Sequence, residues 1–141
     1  MKISAILAGV LVSAALSAGA FAANVMYKAD LKGSQEVPAN DSKGTGTADL
    51  TYDPATKKLS WKIIYSGLSG PATAAHIHGP AEPGANAGVV IKFEVPASPI
   101  EGSATLTDAQ AADLAAGKDY INVHTAEHKG GEIRGQIMPA K

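Results

Sequence analysis

From residue 25 onward the chain is a run of short stretches in which apolar and polar residues alternate, separated by clusters of Gly, Pro, Asn and Asp. In "TADLTYD" (47–53), Ala48, Leu50 and Tyr52 fall opposite Thr47, Asp49, Thr51 and Asp53. In "KLSWKIIYSGL" (58–68), Leu59, Trp61, Ile63 and Tyr65 share one face. A period of two is the signature of a β-strand, whose successive side chains point to opposite faces. "VMYKADLKG" (25–33), "TAAHIHG" (73–79), "AGVVIKFEV" (87–95), "GSATLT" (102–107), "DYINVHT" (119–125) and "GEIRGQIM" (131–138) read as further strands. "QEVPANDSKGTG" and "DPATKK" supply turns, and Pro54 sits where its fixed φ suits one. Strands at this spacing predict an all-β domain, a Greek-key β-sandwich or barrel.

One segment departs from the pattern. "LTDAQAADLAAGK" (106–118) is alanine-rich, with Thr107 and Gln110 spaced as a capping box and Gly117 placed as a C-terminal stop. It predicts one short crossover helix over 108–116, packed down by Ala111, Leu114 and Ala115. Its composition suits a structural connector.

The first residues have another character. Lys2, the apolar run "ISAILAGVLVSAALSAGA" and the small-x-small triplet Ala20-Phe21-Ala22 predict a cleaved secretory signal over residues 1–22. The run is diluted by Ser, Gly and Ala, which argues against a permanent membrane anchor. Residues 23–141 then form a single domain, periplasmic or secreted, with no membrane attachment after cleavage. A formal charge of −1 gives no reason to expect nucleic acid as a partner. The chain has no cysteine, so disulfides, thiolate metal sites and thiol catalysis are all excluded.

Histidine is the informative residue. All four lie in two segments, His76 and His78 in "TAAHIHG", His124 and His128 in "NVHTAEHKGGEIRGQI". On a strand, His76 and His78 point the same way, about 6.6 Å apart along the backbone. The same parity puts Tyr120, Asn122 and His124 on one face and Ile121 and Val123 on the other. A lone strand-end histidine is more often a surface or hydrogen-bonded group than a ligand. Two strand-end groups in so histidine-poor a chain point instead to a shared metal. His76, His78 and His124 are the primary ligand candidates, and His128, on the turn, is the fourth. Glu82, Glu127, Met26 and Met138 are minor ones. Imidazoles without thiolate suit copper or zinc, and the intrinsic affinity order favours copper.

Glu132, Arg134 and Gln136 alternate with Ile133, Gly135 and Ile137. The expectation for Arg134 is an internal clamp on Glu36 or Glu132, since its planar fork matches a carboxylate. The other reading is an anion-guiding arginine beside the metal. The loop "GPAEPGANAG" (79–88) lacks the Lys-Ser/Thr ending of a phosphate loop, and no catalytic triad can be placed from spacing.

"LKGSQEVPA", "LSWKIIYSGLSGPATAAHIHGPA", "LTDAQAADLAAGKDYINVHT" and "GGEIRGQI" together resemble the CHRD domain, a module named after chordin and found in many exported bacterial proteins. The resemblance runs from about Met26 to Ile137. It implies an extracellular or periplasmic β-sandwich, of the superoxide dismutase-like or immunoglobulin-like kind, without a defined biochemical role. The motif of the family maps onto His76, His78, Asn122, His124, Glu132, Arg134 and Gln136. Lys129 stands where members often have proline, and the position of His128 varies. The order His76-Ile77-His78 and Val123-His124 is also similar to the copper-ligand order of copper/zinc superoxide dismutases, but the bridging histidine, second metal cluster and disulfide of those enzymes are missing.

Three functions follow as expectations. The first is an exported copper-binding protein with a three-histidine site, serving buffering, transport or resistance. The second is a metal-free module that docks a protein or glycan through the 79–88 loop. The third is a mononuclear copper enzyme of the superoxide dismutase type. No catalytic residue is assigned, and Asn122, Glu132, Arg134, Gln136 and Glu36 are expected to support the ligands.

Overall fold

A computed structural model describes residues 13–15 and 22–141. The signal segment expected over 1–22 and its cleavage site lie almost wholly outside the described residues. The all-β expectation holds. The strands are β1 (Val25–Lys32), β2 (Thr45–Asp53), β3 (Lys58–Ser66), β4 (Ala72–His78), β5 (Val89–Lys92), β6 (Ile100–Thr105), β7 (Tyr120–Thr125), β8 (Ile133–Gln136) and β9 (Met138–Pro139). They join in one antiparallel sheet in the order β5-β4-β7-β8-β1-β2-β3-β6, with β9 beside β1. The sheet curls into a nearly closed barrel. Its two free edges, β5 and β6, border a common cavity of about 280 Å³ lined by Trp61 and Phe93. No described helix is long and apolar enough to cross a membrane.

The alternation read from the sequence becomes the inside and outside of this barrel. Leu31, Leu50, Leu59, Ile63, Ile77, Ile121, Val123, Ile133 and Ile137 are buried in one core. Each fully buried aliphatic side chain of this kind contributes about 1.5–3 kcal/mol relative to exposure. The helix α1 (Asp108–Ala115) begins with the expected capping box: Thr107 Oγ1 accepts from Gln110 N–H at 3.2 Å, and Thr107 N–H donates to Gln110 Oε1 at 2.9 Å. Leu114 is buried and Ala111 packs at the edge of the core, but Ala115 is exposed. The helix lies over the barrel on a stripe too narrow to include it. β5 is also shorter than its apolar run suggested. Phe93 N–H still donates to Ala75 O, after which the chain leaves the sheet toward Pro96.

Two features of the barrel position the functional residues. The first is the pairing of β4 with β7, in which His78 faces Tyr120, His76 faces Asn122 and Ala74 faces His124. Ile77 opposite Ile121 and Ala75 opposite Val123 fill the core from the same two strands. The second is a carboxylate pin at one end of the barrel. Glu132 is fully buried. It accepts from Ser42 Oγ at 2.7 Å, from Ser69 N–H at 2.9 Å, from Thr125 Oγ1 at 2.8 Å and from the Ser69 hydroxyl. One side chain thus joins the loop before β2, the loop after β3, the end of β7 and the start of β8.

Burial pushes the Glu132 carboxyl's pKa up, but the donors of Ser69, Ser42 and Thr125 outweigh this and bring it down to about 2 from an ordinary 4.5. The charged form is therefore the one the fold binds. Its stabilisation is complete above about pH 4.5 and is lost as pH falls toward about 2. Glu132→Gln should cost about 2 kcal/mol or more, because it removes a charge-assisted acceptor and places an amide donor among donors. Urea unfolding of both proteins across this range checks it: the gap between wild type and variant should narrow as the pH drops, and a constant gap would refute the pin.

Candidate metal centre

On the face of β4 and β7 opposite the core, three imidazoles meet. His76 and His78 come from β4 and His124 from β7. Their ligand atoms all lie within 4.8 Å of one another. The ring centroids of His76 stand 5.3 Å from His78 and 5.0 Å from His124. The hydrogen bonds around the rings orient them. His124 Nδ1–H donates to the Lys129 carbonyl at 2.8 Å, which in a neutral imidazole leaves Nε2 as the lone pair. His78 lies between two acceptors, the Ala87 carbonyl 3.0 Å from Nδ1 and Asn122 Oδ1 2.9 Å from Nε2.

His76 Nδ1 lies 3.2 Å from His124 Nε2, so the His76 proton occupies the gap between them. Two nitrogens about 2.0–2.1 Å from a tetrahedral ion would be about 3.3–3.4 Å apart, close to the spacing already present. An ion would take the place of that proton. Asn122 Oδ1 accepts at His78 Nε2, 2.9 Å away, and is the group an ion must displace to reach that nitrogen.

Burial, first, and the neighbouring rings and Lys92, second, hold the His76 pKa below the ordinary histidine value. Burial also lowers that of His78, against the bonds from Ala87 and Asn122. Both effects favour the neutral form that a cation requires. His78 is 9% exposed, while His76 and His124 are half-buried, so the cluster opens to solvent on the side of these two.

Around the rings lies a polar layer, itself buried. The Tyr120 ring stacks on His78 with centroids 5.0 Å apart and planes 6° from parallel. Arg134 Cζ lies 3.4 Å from the Tyr120 centroid. Tyr120 and Arg134 are each 2% exposed and Asn122 is 3% exposed. The roof over them is the 79–88 loop. Arg134 donates to Ala85 O at 2.6 Å and to Asn86 Oδ1 at 3.0 Å. Gln136 donates to Ala81 O at 2.9 Å, and Ala87 N–H donates to the Tyr120 hydroxyl at 3.1 Å.

The expected Arg134 clamp is not formed. No carboxylate lies within ion-pair distance of Arg134 among the described residues. Glu132 binds hydroxyls instead, and its partner Thr125 has the core-facing parity of Ile121 and Val123, so it does not share the face of Arg134 and Gln136. Glu36 is buried near the guanidinium, and burial raises its carboxyl to about 7 against the opposing influences of Arg134, Asn122 and the Val37 backbone. With its charge partly suppressed, Glu36 competes poorly with the loop's neutral acceptors for the arginine fork.

The cluster of three does not include His128. Its backbone shapes the turn after β7, donating to Thr125 Oγ1 at 3.2 Å, and the residue borders a separate cavity with Glu36 and Val37. Three participants were not singled out from the sequence. Tyr120 was legible in principle, since it shares the parity of Asn122 and His124. The carbonyls of Ala87 and Lys129 carry no signal in residue type.

The family model described as the CHRD domain matches residues 27–137. No curated protein and no solved structure matches the chain.

Gly131 has φ +128°, and a Cβ there would overlap Glu36 Oε1 and come 2.6 Å from Asn122 Nδ2. Both neighbours are buried, so Gly131→Ala should destabilise the fold by more than about 1 kcal/mol. Thermal denaturation checks this, and an unchanged midpoint would show that the Glu36–Asn122 contact is not tight.

Proposed function

The chain belongs to the CHRD domain family, and from that premise we propose that it is an exported copper-binding domain, periplasmic or secreted. His76, His78 and His124 hold one copper ion, for buffering, transport or resistance. The observation that carries this reading is the convergence of three imidazoles whose ligand atoms all lie within 4.8 Å of one another, with the Lys129 carbonyl taking the Nδ1–H of His124 and turning its Nε2 toward the other two rings. Orienting bonds of this kind are the usual companions of metal-binding histidines. Zinc is compatible with the same nitrogens, and copper is preferred on intrinsic affinity.

Copper here would be bound by neutral nitrogen donors on a rigid β scaffold, with Tyr120 packing the plane of His78 and Asn122 yielding its contact to that ring. Capture and release need no covalent chemistry, so no general acid or base is required of the surrounding residues.

Copper(II) titration of the mature protein, followed by spin resonance, should give one equivalent with nitrogen coupling. Replacing His76, His78 or His124 by Ala should weaken binding by about 100-fold or more, whereas His128→Ala should leave it unchanged. Affinity should be level near neutrality and fall only below about pH 6.5, because the lowered pKa values of His76 and His78 delay competition by protons. Unchanged affinity in His78→Ala would overturn the ligand set, and absence of uptake would overturn the function.

A further inference from the structure

The cluster offers copper three neutral donors and no carboxylate. Two cationic side chains, Lys92 and Arg134, lie near it. Lys92 on β5 is the cross-strand partner of His76. Directly paired residues place their Cβ atoms about 4.5–5.5 Å apart on one face. Lys92 is exposed and makes no ion pair among the described residues. Arg134 lies against the Tyr120 ring, which stacks on His78. Glu36, the buried carboxyl in this layer, does not pair with Arg134. A divalent ion here would have no carboxylate ligand among the three rings, with its open side toward solvent beside an unpaired ammonium.

We propose that the copper-loaded site takes a small monovalent anion as its exogenous ligand, and that Lys92 is the residue that draws and positions it. This rests on the copper reading above. It also gives the anion-guiding role, the second reading of Arg134, to a different residue: the Arg134 fork is occupied by the 79–88 loop and is 2% exposed, whereas Lys92 is exposed.

Azide is a suitable probe. Wild type, Lys92→Ala, Lys92→Glu and Lys92→Arg are each loaded with one equivalent of copper(II) and titrated with azide, following the charge-transfer absorption. Wild type should bind one azide. Lys92→Ala should weaken it by about threefold and Lys92→Glu by about tenfold, from the loss and then reversal of one charge about 6 Å away in a water-like medium. Lys92→Arg should retain the wild-type affinity. Added salt should weaken azide binding more in wild type than in Lys92→Ala, a difference that a packing role for Lys92 would not produce. Copper uptake without an azide response, or equal azide affinities in wild type, Lys92→Ala and Lys92→Glu, would overturn the anion site while leaving the copper reading intact. Absence of copper uptake would overturn both.

Discussion

The register between β4 and β7 is the constraint on which the rest of the molecule depends. It brings a histidine pair near residue 77 and a histidine at 124 to neighbouring positions across one strand boundary. Nothing in the imidazoles themselves enforces this. The register is held from the opposite face, where Ala75, Ile77, Ile121 and Val123 are each 0–1% exposed. A slip of one residue would turn these four toward solvent and the rings toward the core, and a strand with one buried face strongly resists that. The site is therefore specified by the apolar side of the strands that carry it.

The outward face of these strands is unusual in being polar and yet buried. An antiparallel sheet commonly leaves one face in water. Here the 79–88 loop and the segment around Glu36 cover it, and most of the covered groups satisfy one another, while Glu36 Oε1 is buried without a hydrogen-bond partner. Arg134 serves the roof, Tyr120 separates Arg134 from His78, and Asn122 lies between His78 and Glu36. A buried guanidinium without a carboxylate would be costly if its donors were unmet. Loop carbonyls and the Tyr120 ring supply partners, so Arg134 works as a fastener for the loop. Glu132 plays the opposite part at the barrel end, as a charged acceptor surrounded by neutral donors.

Much of this was legible in the sequence. Period-two alternation identified the strands, the Thr107–Gln110 spacing identified the helix start, and the parity of His76, His78 and His124 placed them on faces that could meet. These features are local, and local rules govern them. The partners of Arg134 and Glu132 were not legible, because they depend on which loops fold over which strand ends. Arg134 is matched to a carboxylate by chemistry alone, but Glu132 is taken by Ser42, Ser69 and Thr125, two of them more than sixty residues away. Ala115 and the end of β5 were misjudged for a related reason: apolar character gives a tendency to be covered, while the width of the contact decides what is covered.

The imidazoles are held together by main-chain carbonyls and by a core packed on the opposite face of their strands. Small metal-dependent folds behave differently, since their chains are disordered until the ion arrives. On the copper reading proposed above, an occupant would add its own binding free energy to a structure whose ring positions the polypeptide already sets. A chain emerging where the metal is scarce would then fold first and fill later.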